Sequence, residues 1–368
     1  MVEPAKKYSS LKYTFSILET VYQLIFFLAL LSLGLSKALS ALLLNFIPQN
    51  PCFVIPLYTL VVFLVYYLST LPINFYHSYI LERKFSLSNQ KIKDWVNDQA
   101  KAGIISYIIA LIIISAFYYI LKHFIGSWWL VISLFWIFFS LILAKLTPIL
   151  IIPLFFKYKK ISDDALRGRI MNLANKMKVK ILDCFEIDFS KKTLKANAAF
   201  VGWGSGRRVI LSDTLKDKYS YDEIEVILAH EFAHYRLKHL LKLILVNSAV
   251  IITCFYIISR TSVYTLSVFG LGSLSDIAAL PLILIYFLLF GIVMQPFESY
   301  ISRRLEINAD MMALKVTGLK EAFISMMEKL ASQNLADRNP HPLIKFFFFD
   351  HPPIDERINM AKSFQSSI

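Results

Sequence analysis

Two histidines and a glutamate near the middle of the chain have the spacing of a metal site on a single helix. The segment reads His230-Glu231-Phe232-Ala233-His234, and residues four apart lie on the same face of an α-helix. Two imidazoles so placed can bind one zinc ion, and the adjacent Glu231 can serve as general base for an attacking water molecule. The pattern therefore predicts metal-assisted hydrolysis. A chance occurrence in a polar helix is the alternative for the motif taken alone.

The helix that must present these residues has a start signal in the sequence. Ser220 and Glu223 have the Ser-x-x-Glu spacing of a capping box. In that motif each side chain accepts a hydrogen bond from the backbone N–H of the other residue. We therefore expect a helix to begin near Ser220 and to carry His230 and His234 one turn apart.

A catalytic zinc site needs a third protein ligand and one open position. Glu306 is the candidate, because the segment from Ser302 to Asp310 follows an apolar run and continues it as a helix. Asp310, one turn after Glu306, is placed to hold a ligand histidine by its second nitrogen. The alternative interpretation of Glu306 and Asp310 is an exposed helix face with paired charges. The neighbouring residues favour a packed helix: Leu305, Ile307, Ala309, Met311 and Met312. We expect one zinc ion per chain.

Other zinc-binding patterns fit the sequence less well. A metzincin needs a third histidine six residues after the second, and that position is Leu240. His239 lies five residues after His234, on a different side of a continuous helix. We therefore expect His239 to be a surface histidine at the membrane interface and not a ligand. The three cysteines lie far apart, which favours neither a disulfide scaffold nor a thiolate zinc site.

The composition places these residues in a membrane protein. Hydrophobic residues make up 57% of the 368 positions, more than is usual for a soluble domain. They form six runs long enough to cross a hydrocarbon core, which needs about 20 residues. The net charge of +13 comes mainly from Lys and Arg residues between the runs, which favours anchoring at anionic lipid over nucleic-acid binding. The runs lie near residues 16–44, 53–72, 104–122, 128–152, 240–259 and 277–297.

The order of the runs predicts a mainly α, multi-spanning membrane protein with a small cytoplasmic α+β subdomain. We expect β-like segments in this subdomain at 181–187 and 208–211, after a helix capped near Asp163. The predicted parts are an N-terminal membrane domain of about four spans at 1–156, a cytoplasmic α+β part with the His-Glu-x-x-His helix at 157–239, two further spans at 240–297, and a C-terminal cytoplasmic part with the third-ligand helix at 298–368.

The positive charges predict the orientation in the membrane. With the N-terminus inside, the inner loops before residue 104 are rich in Lys and Arg, and the outer side holds only Lys37, Lys122 and Arg260. Positive charge favours the cytoplasmic side. Both soluble parts are therefore expected in the cytoplasm, where they can meet and share one site. The inner residues are Lys6, Lys7, Lys12, Arg83, Lys84, Lys91, Lys93 and Lys101.

With these motifs in place, the chain resembles the integral-membrane CAAX prenyl proteases of type I, which are zinc peptidases of the gluzincin kind. The resemblance covers most of the chain and implies zinc bound by two His and one Glu. It also implies peptide-bond hydrolysis and a site that faces a chamber enclosed by the membrane helices. Besides the zinc motif, the matching segments are Tyr79 to Phe85, Asn197 to Gly202, Arg208 to Leu215, Ser302 to Asp310, and His351-Pro352-Pro353 with Arg357.

The resemblance implies roles for three further residues. His351 would donate a hydrogen bond to the tetrahedral oxyanion, and Asn197, near a sheet edge, would hold the substrate backbone. Arg357 would brace this substrate-binding region. The alternatives are a turn residue for His351 and a loop residue for Asn197.

The substrate and the membrane are left with alternatives. The resemblance implies C-terminal processing of a prenylated protein, and processing of another membrane-associated protein or quality control of membrane proteins is the alternative. A site-two-type intramembrane protease would draw its third ligand from an Asp in a later span, and a scaffold or transporter would leave the His, His, Glu and Asp set unexplained. Expected partners are a peptide or protein substrate and the lipid bilayer, without nucleic acid. A bacterial cell membrane is favoured, or the endoplasmic reticulum if the chain is eukaryotic.

Overall fold

A computed structural model describes residues 2–47, 51–202 and 206–365. Six helices in these residues are long and apolar enough to cross a membrane, as predicted. Helix α3 (Pro51–Phe75) continues through a π-turn into α4 (Leu81–Lys84), and together they form one candidate span from Phe53 to Lys84. The helices before the soluble part are α1 (Val2–Ser32), α2 (Leu35–Phe46), α3 (Pro51–Phe75), α4 (Leu81–Lys84), α5 (Ile92–His123) and α6 (Trp128–Leu146).

The first predicted span, residues 16–44, is wrong as a single helix. The chain breaks between α1 and α2 at Gly34, whose φ of +70° lies in the left-handed region that glycine adopts without strain. Helix α2 has 12 residues, fewer than the roughly 20 needed to cross the bilayer core. Its buried Ser36 donates a hydrogen bond of 2.6 Å to the carbonyl of Ala278. The uniform hydrophobicity of the run conceals this break.

The soluble part contains a four-stranded sheet with helices. Strand order is β1-β2-β4-β3, with β2 and β4 parallel and the other neighbours antiparallel. The predicted β-like segments correspond to β2 and β4, and the short β1 and β3 had no clear pattern. The elements are β1 (Tyr158–Lys160), α7 (Asp164–Lys176), β2 (Asp183–Ile187), β3 (Ala198–Val201), β4 (Arg208–Ser212) and α8 (Asp213–Lys216).

The remaining elements are helices, and two of them contain the last two candidate spans. Helix α11 has 38 residues and is therefore about 57 Å long, enough to cross the bilayer and extend beyond it. The helices are α9 (Tyr221–Arg236), α10 (His239–Val268), α11 (Leu280–Thr317), α12 (Lys320–Gln333), α13 (Pro342–Phe348) and α14 (Ile354–Ser363).

One apolar core unites the two soluble parts that the sequence separates by two spans. Leu228 and Phe232 of α9 are fully buried in the same cluster as Ala309 of α11, Phe323 of α12 and Ala361 of α14. A second buried cluster lies among the membrane helices. Burial of the first cluster forces α9 against α11, which is the contact that assembles the site. The cysteine side chains that are described, Cys184 and Cys254, are buried and free, and the side chain of Cys52 is not among those described.

Candidate metal centre

The motif helix α9 begins as its capping box predicts. Ser220 accepts a hydrogen bond of 3.3 Å from the N–H of Glu223, and Glu223 accepts one of 2.7 Å from the N–H of Ser220. Lys329 of α12 lies 2.7 Å from the same carboxylate. The cap is thus tied to a neighbouring helix, and the position of α9 is set at its first turn.

Packing of α9 on α11 brings the two histidines and Glu306 to one point. The Nε2 atoms of His230 and His234 are 3.0 Å apart. They lie 3.2 Å and 3.3 Å from the two carboxylate oxygens of Glu306. Within the described ranges this is the set of His, Cys, Asp or Glu side chains that could hold a metal ion, with ligand atoms within 4.8 Å of one another.

This donor set fits zinc. Two imidazoles and one carboxylate are the ligands of catalytic zinc sites that keep a fourth position open. Oε2 of Glu306 is buried and has no hydrogen-bond partner among the residues that the structure describes. A buried carboxylate oxygen without a partner costs free energy, and a cation between the three side chains would supply that partner.

Asp310 and Arg357 support His230 from behind. Oδ1 of Asp310 lies 2.8 Å from Nδ1 of His230, the ring nitrogen that faces away from Glu306. Arg357 donates two hydrogen bonds to the same carboxylate, at 2.7 Å and 2.6 Å. Asp310 is completely buried, and its charge is compensated by the bidentate guanidinium. The predicted contact of Asp310 with a histidine is present, and Arg357 braces the site through Asp310.

Glu231 lies beside His230, His234 and Glu306 and makes no hydrogen bond to them. No side-chain hydrogen bond or ion pair of Glu231 occurs in the described part of the chain. Burial raises its pKa, and the nearby His230 opposes that rise. A carboxylate with a raised pKa and no fixed partner is suited to accept and return a proton.

His351 reaches the site from the segment between α13 and α14. Its Nε2 lies 3.4 Å from Oε2 of Glu306, and its Nδ1 lies 2.8 Å from Asp350. The ring is 51% exposed, so it lies at the mouth of the site. Partial burial lowers the pKa of His351, but the carboxylates of Asp350 and Glu306 outweigh this and the net shift is upward.

Arg303, which the sequence reasoning missed, holds that segment in place. One turn before Glu306 on α11, it donates hydrogen bonds of 3.1 Å to the carbonyl of Lys345 and 2.5 Å to that of Phe349. The carbonyl of Phe349 is two residues before His351. The available signal was its spacing of three residues from Glu306, which puts both on one helix face.

Asn197 stands where the edge strand β3 begins, near the sheet edge as predicted. Its N–H donates to the hydroxyl of Ser212 and its carbonyl accepts from the N–H of Ser212, both at 3.0 Å, and its side chain is exposed. Phe200 of the same strand packs its ring 5.1 Å from that of Phe232 on α9. Strand β3 therefore packs against the helix that carries the zinc motif.

The prediction that His239 is a surface residue is wrong. Only 1% of its surface is exposed, and its Nδ1 lies 3.0 Å from Nδ1 of His234. The reason is local: Lys238 adopts left-handed angles of φ 55° and ψ 37° between α9 and α10. The helix does not continue through His239, and the chain turns the ring back toward His234.

Two family descriptions match the chain. The description "CAAX prenyl protease N-terminal, five membrane helices" matches residues 2–157, and "Peptidase family M48" matches residues 161–365. In the part of the chain that the structure describes, five helices of 12 residues or more precede the sheet, namely α1, α2, α3, α5 and α6. Four of them lie in candidate membrane spans, and α2 is shorter than a span requires.

Proteins similar to the chain occur in a bacterium and in eukaryotes, yeasts among them. The uncharacterized metalloprotease YhfN of Bacillus subtilis is 31% identical over 97% of this chain and 84% of its own length. CAAX prenyl protease 1 of Saccharomyces cerevisiae is 30% identical over 78% of this chain and 67% of its own. The crystal structure of S. mikatae Ste24p superposes with a TM-score of 0.87 at 25% identity, covering 98% of this chain and 88% of that one.

Proposed function

The chain belongs to peptidase family M48, and we propose that it hydrolyses peptide bonds with one zinc ion held by His230, His234 and Glu306. The premise is that it is a membrane metalloprotease like the CAAX prenyl proteases. The observation that carries the proposal is the meeting of two imidazole nitrogens and a buried carboxylate oxygen within 4.8 Å. When bound there, zinc would polarise the scissile carbonyl and lower the pKa of water. An intramembrane Asp ligand of the site-two type is not needed, because Glu306 occupies the third position.

Two protein groups carry the proton and the charge of the reaction. Glu231 accepts the proton of the attacking water and passes it to the leaving amine. His351, protonated on both nitrogens, holds Asp350 with Nδ1 and turns Nε2 toward the oxyanion that forms on the substrate. The carboxylate of Asp350, 2.8 Å from Nδ1, favours this doubly protonated form.

Asn197 and the edge of β3 provide a place for the substrate backbone. An extended peptide can add to an exposed strand edge through main-chain hydrogen bonds. Asn197 has its own backbone tied to Ser212, which leaves its exposed amide free to bind a peptide carbonyl or N–H. We place the scissile bond between this edge and the zinc ligands.

The substrate that we propose is a protein with a prenylated C-terminus. The name of the yeast relative, CAAX prenyl protease 1, states such a substrate for that protein. A peptide carrying an isoprenoid concentrates in the bilayer that surrounds the helices, because each buried CH₂ contributes about 0.8 kcal/mol to membrane binding. Another membrane-associated protein is the alternative substrate.

We expect the purified protein to cleave a farnesylated fluorogenic peptide faster than the same peptide without the isoprenoid. Both should be assayed in proteoliposomes. A zinc chelator should abolish cleavage, and added zinc should restore it. Equal rates for the two peptides would contradict the proposal of a prenylated substrate but would leave the proposal of peptide hydrolysis intact. A zinc-loaded protein that cleaves neither peptide would overturn the proposed function.

We also propose that the metal centre faces the cytoplasm, as the distribution of positive charge between the loops favours. In a variant without the native cysteines, single cysteines at exposed Lys91 and Lys180 should react with an impermeant maleimide only after cells are permeabilised. A cysteine at Ser275, in the loop before α11, should react in intact cells. Arg260 is a poorer outer probe, since it lies within α10. The reverse labelling pattern would invert the orientation.

A further inference from the structure

Among the described residues, the buried ring of His239 has one side chain at hydrogen-bond distance. Its Nδ1 lies 3.0 Å from Nδ1 of His234, and its Nε2 is buried without a hydrogen-bond partner among the described residues. Burying a polar ring without hydrogen bonds costs free energy. The contact with His234 therefore explains why an imidazole, and not an apolar side chain, occupies this position.

The orientation of His234 determines what this contact does. Its Nε2 faces His230 and Glu306, at 3.0 Å and 3.3 Å. A histidine that binds a metal through Nε2 carries its proton on Nδ1, and that N–H usually donates to a neighbouring group. The Nδ1–H of His234 then donates to Nδ1 of His239, which must be unprotonated at that atom.

We propose that His239 is a positioning residue for the zinc site: it accepts the Nδ1–H of His234 and so sets the tautomer and ring orientation of that ligand. The inference rests on the proposed role of His234 as a ligand. The two ligand histidines then have unlike supports. His230 is held by the carboxylate of Asp310, whose charge Arg357 compensates, whereas His234 is held by a neutral imidazole that adds no charge to a buried site.

The turn at Lys238 is what makes this support available. In a continuous helix, a residue five positions after His234 would lie about 140° around the axis from it, at 100° per residue. The left-handed angles of Lys238 end α9 and start α10 at His239. The first residue of α10 is thereby placed against the last turn of α9, behind the face that carries the ligands.

Two substitutions at His239 separate positioning from packing. His239→Leu fills much of the ring's volume but has no acceptor, whereas the Oδ1 of His239→Asn can accept the Nδ1–H of His234. Loss of a group that supports a metal ligand weakens metal binding by 10- to 100-fold, and we expect that loss for Leu. The Asn variant should bind zinc within about threefold of wild type, since it restores the acceptor.

The measurements are zinc affinity by chelator competition and the thermal midpoint of the zinc-free protein, both on the full chain. The Leu variant should lose affinity without losing zinc-free stability, because it removes an unpartnered buried polar atom. Leu240→Ala is the matched control, since Leu240 is the next residue and is 60% exposed.

The outcomes distinguish this inference from the proposed function. Wild-type zinc affinity in His239→Leu would overturn the inference. Equal loss of affinity in the Leu and Asn variants, together with a lowered zinc-free midpoint, would mean a packing role and would overturn it as well. Failure of the proposed function would appear elsewhere, as a wild-type protein without zinc or a His234→Ala protein that retains it.

Discussion

Glu231→Gln is expected to lower peptide hydrolysis by 10²- to 10⁴-fold while the zinc content stays at one per chain. General base catalysis contributes a factor of that size, and Gln cannot accept the proton of the attacking water. The change preserves the size of the side chain. It breaks no hydrogen bond in the described part of the chain, so the fold of α9 should persist.

Zinc content by emission spectrometry and cleavage of a fluorogenic peptide would be measured on the same preparation. His351→Ala should be measured alongside it. Its rate of peptide hydrolysis should fall by about 10²- to 10³-fold, because one oxyanion donor is removed. Near-normal cleavage by zinc-loaded Glu231→Gln would end the proposed mechanism. Loss of zinc from that variant would instead make Glu231 a structural part of the site.

Glu306→Ala is expected to remove the zinc ion. The proposed site has three protein ligands, and no fourth His, Cys, Asp or Glu joins their cluster among the described residues. Asp310 cannot replace Glu306, because both of its oxygens are engaged by Arg357 and one of them by His230. The affinity for zinc should fall by more than the roughly 100-fold that marks the loss of a supporting contact.

The matched control for this variant is Glu321→Ala, which removes an exposed carboxylate from the first turn of α12. It should retain one zinc ion per chain and wild-type turnover. Full metal content in Glu306→Ala would show that the third ligand is another residue. The histidine variants His230→Ala and His234→Ala should match Glu306→Ala in zinc content.

Features carried by short segments were predictable from the sequence. The capping box at Ser220 and Glu223 and the one-turn spacing of His230 and His234 depend on backbone geometry within one helix, which repeats every 3.6 residues. The six spans follow from hydrophobicity over about 20 residues. Glu306 was identifiable as the third candidate because zinc chemistry demands a further ligand and its helix continues a span.

Features decided by tertiary structure depend on contacts or backbone angles that no local pattern specifies. The break at Gly34 lies inside an apolar run, and its cause is a left-handed glycine together with the contact between Ser36 and Ala278. Arg303 gains its role from carbonyls more than forty residues away. His239 was misplaced because a helical projection assumes that the helix continues.

The sequence by itself determined the zinc motif, the third-ligand candidate and the membrane class, because each depends on residue type and short spacing. Only the tertiary structure decided which ring nitrogens of His230 and His234 face Glu306, and which residues support the opposite nitrogens. Those choices follow from packing α9 against α11 and from the left-handed turn at Lys238. Both the packing and the turn are stabilised by burial of a core that distant segments share. The free energy of that burial cannot be read from either segment alone.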